Sequence, residues 1–382
     1  MSTTIKLRSP YYIKTTPTTN TYYVAIGLKM WQGTETSPPS TYTYNLTKFV
    51  VDDQDFVIFE VSALARDYLK ITNNGQYNQD TALFLRYDYT CFDSSGVGLF
   101  SFGEVLPCAD GYTEFKDGMN YRPPFEYYLQ SNNCLQIPIN TRTCVPVNGE
   151  NTSQIQFYQN GELVSNTAVN YNGETSQINQ TICYGVVPDD YYGRVENLTG
   201  GSVIRSSCVD NFFGFTDFGA IDRIVVQSED PDLSTSISVD RITECKYPIH
   251  KITFVNKYGV LQDIYMFKNS KENLSVKDTT FKRNLLTEAN FTYDTTEHQK
   301  RTILKQGNKN IELNSGYIGE CLVVAFEELF LSEQVWLTNN NDEIYPVYLA
   351  DKNLKYKTHL NDKLINYTLN FEYAFDQINN IR

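Results

Sequence analysis

Large apolar and polar residues alternate without a break near the end of the chain. The apolar positions, spaced two apart, are Ile365, Tyr367, Leu369, Phe371, Tyr373 and Phe375. A period of two predicts a β-strand with one face in a core and the other toward water or a partner. Full burial of these side chains would favour folding by roughly 9–18 kcal/mol, and ordering the backbone would cost about 11–22 kcal/mol. The strand must therefore dock on a sheet, its own or a neighbour's.

The strand pattern and the turn residues divide the chain into three parts. Residues 1–128 are expected to form a β-sandwich-like domain, residues 129–243 a second β domain, and residues 244–382 a β-rich assembly module. The abundance of Tyr (29) and Phe (22) agrees with this division, because aromatic residues favour strands. The predicted fold class is mainly β: two β-sandwich-like domains followed by a β-rich α+β C-terminal module.

Local signals predict two hairpins and two helices. Asn160-Gly161 and Asn256-Lys257-Tyr258-Gly259 each separate two apolar runs, as hairpin turns do. Ser62 is a candidate N-cap for a short helix over 63–69. Apolar residues at helical spacing predict a longer helix within 318–332, and they are Leu322, Val323, Phe326, Leu329 and Phe330.

Charge is unevenly distributed along the chain. The net charge is −13, of which residues 1–243 carry −12 and residues 244–382 carry −1. Phosphate binding depends mainly on Lys and Arg, so nucleic acid is not an expected partner. The acidic charge either serves to keep the protein soluble or, alternatively, forms an acidic docking face.

The eight cysteines form no C-x-x-C pair, and their density is too low for a disulfide scaffold. The N-terminus lacks an apolar stretch of signal-peptide length, and no apolar run approaches a membrane span. We therefore expect a protein that is made in a reducing cytoplasm, with mostly free and buried thiols and no membrane span.

Motifs for catalysis or cofactor binding are not found. The three histidines lie far apart, and there is neither a G-x-S-x-G elbow nor a phosphate-binding loop. Asp189 and Asp190, beside two tyrosines, leave open a sugar site, and the acidic run 229–232 lacks the EF-hand pattern for calcium. We expect no catalytic residue, cofactor or metal. The aromatic pair Phe212 and Phe213 is a candidate contact anchor.

One segment resembles a known family. Residues 245–263, with the sequence CKYPIHKITFVNKYGVLQD, are similar to a block in virion structural proteins of tailed bacteriophages of marine bacteria and Bacteroidota, including crAss-like phages. Four further segments fit the same pattern, namely 5–12 (IKLRSPYY), 281–284 (FKRN), 331–336 (LSEQVW) and 360–382. The resemblance implies a particle component without catalytic residues, in the tail, baseplate or neck rather than the capsid shell.

The expected function is therefore that of a structural subunit of a tailed bacteriophage virion, not an enzyme. Such a subunit is assembled in the host cytoplasm, located in the virion, and joined to copies of itself in a ring and to other tail or neck proteins. The terminal strand either completes a neighbour's sheet or pairs only within its own chain. The candidate interface residues are Ile365, Tyr367, Leu369, Phe371, Tyr373, Phe212 and Phe213.

Two other functions stay open at this stage. Residues 1–243, which are acidic and rich in tyrosine, permit a tail-tip module that binds a receptor or a host surface glycan. A polysaccharide depolymerase would need a pair of carboxylates, for which Asp189 and Asp190 are the candidates.

Overall fold

The chain folds mainly into β-strands, as expected from the sequence. The structure is a computed structural model that describes residues 4–32, 38–51, 55–75, 82–122, 126–138, 143–148, 152–168, 181–186, 221–286, 292–355 and 364–378. Within those ranges the strands form three larger sheets and two small ones. The larger sheets draw their strands in turn from residues 5–109, 134–242 and 250–373, so each sheet uses a separate stretch of chain.

The first sheet and its small partner sheet share one hydrophobic core. Five strands lie in the order β1-β7-β6-β3-β4, and the small sheet pairs β2 with β5. Inward-facing residues of both sheets meet in the core, among them Ile26, Leu85 and Phe59. The elements are β1 (Ile5–Lys6), β2 (Tyr12–Thr15), β3 (Tyr23–Gln32), β4 (Tyr44–Phe49), β5 (Val57–Glu60), α1 (Ser62–Tyr68), β6 (Ala82–Phe92) and β7 (Gly98–Ala109).

The start of α1 differs from the sequence expectation. Ser62 is the first helical residue rather than the N-cap, which is Val61 and makes no side-chain cap. The Glu60 carboxylate accepts the backbone N–H groups of Ser62 at 2.8 Å and of Ala63 at 3.3 Å. The Glu60 carboxylate, which precedes the helix, therefore accepts the N-terminal backbone N–H groups that the Ser62 hydroxyl was expected to cap.

The second sheet has the order β11-β10-β13-β14-β8, with a small β12–β9 sheet beside it. The predicted Asn160-Gly161 hairpin is confirmed, since it joins β10 to β11 with positive φ angles of 50° and 83°. The elements are β8 (Cys134–Pro138), β9 (Thr143–Asn148), β10 (Thr152–Gln159), β11 (Glu162–Ala168), β12 (Thr181–Val186), β13 (Arg223–Ser228) and β14 (Ser234–Ile242).

The third sheet is the largest, with seven strands in the order β16-β15-β19-β20-β21-β18-β17. Helix α2 falls within the range predicted from the apolar spacing, and it packs Phe326 and Leu329 into the core of this sheet. The elements are β15 (His250–Val255), β16 (Leu261–Met266), β17 (Lys271–Lys282), β18 (Lys300–Gly319), α2 (Val323–Leu331), β19 (Val335–Thr338), β20 (Ile344–Leu349) and β21 (Leu364–Tyr373).

A disulfide links the second sheet to the third. Cys134, at the start of β8, is bonded to Cys321, just before α2, across 187 residues of sequence. The expectation of free thiols is wrong for this pair, because the fold brings together two cysteines that are too distant in sequence to be read as a pair. Cys91 and Cys108 are free and buried, as expected, and Cys245 is free but exposed.

Reduction of this disulfide should lower the free energy of unfolding by about 2–4 kcal/mol, because the bond restricts a long loop in the unfolded chain. Thermal unfolding with and without dithiothreitol measures the effect. A Cys134→Ser/Cys321→Ser double variant is the control, and its melting temperature should not respond to the reductant. Equal responses of the two proteins would contradict the bond.

Candidate assembly surfaces

Strand β21 carries five of the seven candidate interface residues, and the structure places it inside the third sheet. It pairs with β18 along almost its whole length and with β20 over residues 371–373. Its side chains Ile365, Tyr367, Leu369 and Phe371 belong to the core under α2, and Tyr373 packs against that core half-buried. In this structure the strand pairs within its own chain, which is the second of the two arrangements considered from the sequence.

The other two candidate interface residues, Phe212 and Phe213, lie outside the described residues, as do Asp189 and Asp190. The acidic run 229–232 forms the turn between β13 and β14, where Asp230 Oδ1 accepts the backbone N–H of Asp232 at 3.1 Å. In the part of the chain that the structure describes, no group of three or more His, Cys, Asp or Glu side chains is placed to hold a metal ion.

A long hairpin extends beyond the core of the third sheet. We refer to residues 271–309 as the arm, of which the structure describes 271–286 and 292–309. All twelve side chains of β17 are exposed, and so are the first six of β18. Past the point where β21 ends, the C-terminal segment covers β18, with Gln377 N–H donating to the carbonyl of Gly307 at 2.8 Å.

Beyond Gly307 the arm is a ribbon of two strands. Pairing runs from Asp278 opposite Lys305 to Lys282 opposite Lys300, which is about 15 Å at the usual rise per residue. A two-stranded ribbon is marginally stable alone in water. The arm nevertheless exposes large apolar side chains, namely Leu274, Val276, Phe281, Ile303 and Leu304. Exposed apolar groups on a ribbon without a core are typical of an interaction surface.

The arm is basic although the chain is acidic. Its sequence carries a net charge of +3, against −13 for the whole chain. Lys282 and Lys300 lie directly opposite each other, and like charges in that position destabilise a strand pair. An acidic partner would relieve this repulsion.

A second open surface lies on the first sheet, and we refer to residues 98–107 as the β7 edge. The outer side of β7 pairs with β1 only at Cys108 and Ala109, so within the described residues the rest of its outer edge is unpaired. Phe100 and Phe102 are 43 % and 47 % exposed. Both rings pack against Tyr89, with ring centroids 6.0 and 5.9 Å away. This edge is apolar and aromatic, with its strand backbone accessible.

The turn between β15 and β16 connects the three parts of the chain. Its Asn256 donates a side-chain N–H to the carbonyl of Leu129 at 2.8 Å, and Lys257 accepts the backbone N–H of Tyr112 at 2.9 Å. The Lys257 backbone N–H donates to Glu328 of α2 at 3.2 Å. These bonds hold the turn against the first and second parts of the chain and against α2.

Glu328 is a buried carboxyl group at this junction. Burial raises its pKa above the usual range, although hydrogen bonds from Ser131 and from the Lys257 backbone N–H act in the opposite direction. Burial also raises the pKa of the nearby Tyr258 to about 12. The junction therefore favours neutral side chains, as expected where desolvation outweighs local hydrogen bonding.

The raised pKa of Glu328 predicts a pH-dependent stability. In the unfolded chain the carboxyl group ionises near its ordinary pKa of about 4.3. The free energy of unfolding should therefore fall as the pH rises from that value through the raised pKa. Glu328→Gln should remove this decline, which denaturant unfolding at a series of pH values measures. Glu327→Gln, at the exposed neighbouring position, is the matched control and should keep it. Parallel pH profiles for both variants would contradict the prediction.

A shallow polar depression lies near the end of the second sheet. Its volume is about 470 Å³, and its lining residues are Asn133, Gly161, Asp222, Arg223, Ser236, Ser238 and Cys321. The Arg223 guanidinium lies 4.1 Å from the ring centroid of Tyr158. That aromatic face is therefore already covered and is not open for stacking on a sugar ring.

Comparison with known proteins identifies no family for this chain. No family model, no curated protein and no solved structure matches the chain. Among the described helices, none is long and apolar enough to cross a membrane. The candidate functional surfaces are therefore the arm and the β7 edge.

Neither the arm nor the β7 edge is among the surfaces predicted from the sequence. A signal for the β7 edge was present, because Phe100 and Phe102 alternate with Ser101 and Gly103. The arm gives a weaker signal, since its apolar residues are interrupted by lysines and threonines on both faces of the ribbon.

Proposed function

We propose that this chain is a structural subunit of a tailed bacteriophage virion, a tail, baseplate or neck component that assembles with copies of itself into a symmetric ring. The supporting observation is the arm, a basic ribbon with exposed apolar side chains and no core of its own. The phage context comes from the resemblance of residues 245–263 to virion structural proteins.

The charge of the arm disfavours an interface in which two arms meet. A two-fold interface uses the same patch on both subunits, and two arms that face each other would bring like charges together. An arm that instead contacts a different surface of the next copy, head to tail, generates a ring when the rotation closes. The disulfide joins the second and third sheets, and the β15–β16 turn contacts the first part of the chain. These links suit the role, since ring closure requires a fixed angle between subunits.

A shortened arm tests self-assembly. Lys277 pairs with Gln306, so replacing residues 278–305 by the dipeptide Asn-Gly should close the hairpin with a two-residue turn. Light scattering after size exclusion should give a multiple of the 43.9 kDa chain mass for the intact protein and the single-chain mass for the shortened variant, with similar melting temperatures. An intact protein that remains a monomer, or a shortened variant that assembles equally well, would contradict the proposal.

The virion location needs a separate test. Immunogold labelling of the phage particles that carry this chain should mark one axial position at the tail, baseplate or neck. Particles without label, isolated alongside free protein in the lysate, would contradict a virion component.

A further inference from the structure

We propose that the arm of one copy binds the β7 edge of a second copy, where β17 adds to the first sheet as an extra strand. This inference rests on the proposed self-assembly and names the surface that receives the arm. It also identifies the partner of the arm by its chemistry, as an aromatic strand edge with one carboxylate, Glu104, that this chain itself supplies.

The two strands fit each other in length and in their free edges. β17 is the last strand of the third sheet, so its outer edge is unpaired among the described residues. It has twelve residues, all exposed, and β7 is exposed from Gly98 to Glu104. Each edge presents backbone N–H and C=O groups that a second strand can satisfy. The exposed edge ends before Leu106 and Pro107, which are buried, and β1 pairs with β7 at Cys108 and Ala109.

The charges of the two surfaces are opposite. The arm carries +3, whereas Glu104 is the one charged residue of the β7 edge, which therefore carries −1. Two arms therefore repel each other. Attraction is expected between the arm of one copy and the β7 edge of a second copy. The opposite charges also speed the encounter of the subunits, and added salt should weaken their association.

The apolar residues of the two surfaces are also complementary. Phe100 and Phe102 are half-exposed and share one face of β7, while Leu274 and Val276 are exposed and share one face of β17. Cross-strand pairs between aromatic and aliphatic side chains stabilise adjacent strands. Pairing would therefore cover apolar groups that each copy alone leaves in water.

A pair of charge-reversed variants provides the test. In the arm variant, Lys277→Glu and Lys282→Glu make β17 acidic. In the edge variant, Leu99→Lys and Phe102→Lys make the β7 edge basic. Each variant alone should associate at least tenfold more weakly than the intact protein in analytical ultracentrifugation. A mixture should regain association, because the acidic arm fits the basic edge and the unchanged arm fits the unchanged edge.

A matched control places the same charges on the opposite edge of the same sheet. Phe49→Lys and Val51→Lys change two exposed residues at β4, and this variant should associate like the intact protein. Circular dichroism and melting temperature show whether each variant is folded.

The possible outcomes separate this inference from the proposed function. An intact protein that stays monomeric would overturn both. Association of the edge variant at the strength of the intact protein, or a mixture of folded variants that does not regain association, would overturn only the β7 edge as the receiving surface. Arm-dependent binding of a 20-base-pair DNA duplex that is tighter than self-association would assign the basic arm to nucleic acid and overturn the inference.

Discussion

Replacing Phe371 by alanine should lower the free energy of unfolding by about 3–5 kcal/mol. Phe371 is 0 % exposed and lies opposite Ile311 in the strand pair of β21 and β18. It belongs to the core that also contains Phe326 of α2. Truncation would remove the apolar contacts of the ring and leave a cavity, because neighbours in a packed sheet relax only in part.

Guanidinium denaturation followed by fluorescence measures this effect. The matched control is Phe375→Ala, four residues further along the same apolar period, where the side chain is 45 % exposed. The control should change the free energy of unfolding by less than about 1 kcal/mol. If both variants lose the same small amount, β21 is not part of the core of its own chain.

Replacing Gly259 by alanine should cause a second large loss, of about 3 kcal/mol or more, because two costs add. Gly259 has a φ of +83°, which costs a residue with a Cβ about 1–2 kcal/mol. A Cβ there would also lie 2.7 Å from the backbone nitrogen of Asp110 and 2.8 Å from that of Gly111. Backbone atoms cannot move aside as a flexible side chain can, so the turn would have to separate from the first sheet.

Gly161→Ala separates the two costs. Gly161 has the same φ of +83°, but a Cβ there would meet nothing within 4 Å. It should therefore lose only the conformational part, about 1–2 kcal/mol. Limited proteolysis should in addition cut Gly259→Ala faster than Gly161→Ala between the three parts of the chain. Equal losses of stability for the two variants would contradict the close packing of the β15–β16 turn.

The alternating pattern of β21 shows what could be predicted from the sequence. Alternation identifies the face that is buried, and Ile365, Leu369 and Phe371 are indeed in a core. It does not identify the sheet that buries this face, because a neighbouring copy and the same chain offer equivalent apolar surfaces. The choice depends on pairing with β18, a strand more than 45 residues away in sequence.

Local signals were sufficient for the turns and for α2. Asn160, Gly161 and Gly259 have positive φ angles that these residue types tolerate, and α2 follows an apolar stripe. The cap of α1 was missed because Glu60 acts from the preceding strand, where propensity assigns no capping role to glutamate.

Features that depend on residues distant in sequence could not be predicted from the sequence pattern. The disulfide joins Cys134 to Cys321, and the junction at Glu328 depends on residues from all three parts of the chain. The arm has little apolar alternation because neither of its faces meets a core in the single chain. Its strands exist through pairing with each other, which propensity alone does not predict.

Cryo-electron microscopy of the intact, full-length chain at assembling concentration is the decisive measurement. We expect closed rings in which each arm lies along residues 98–107 of the next copy, as an added strand beside β7. Dispersed single chains at every concentration, or an assembly in which the arms project into solvent and other surfaces meet, would contradict a subunit that joins its copies through the arm.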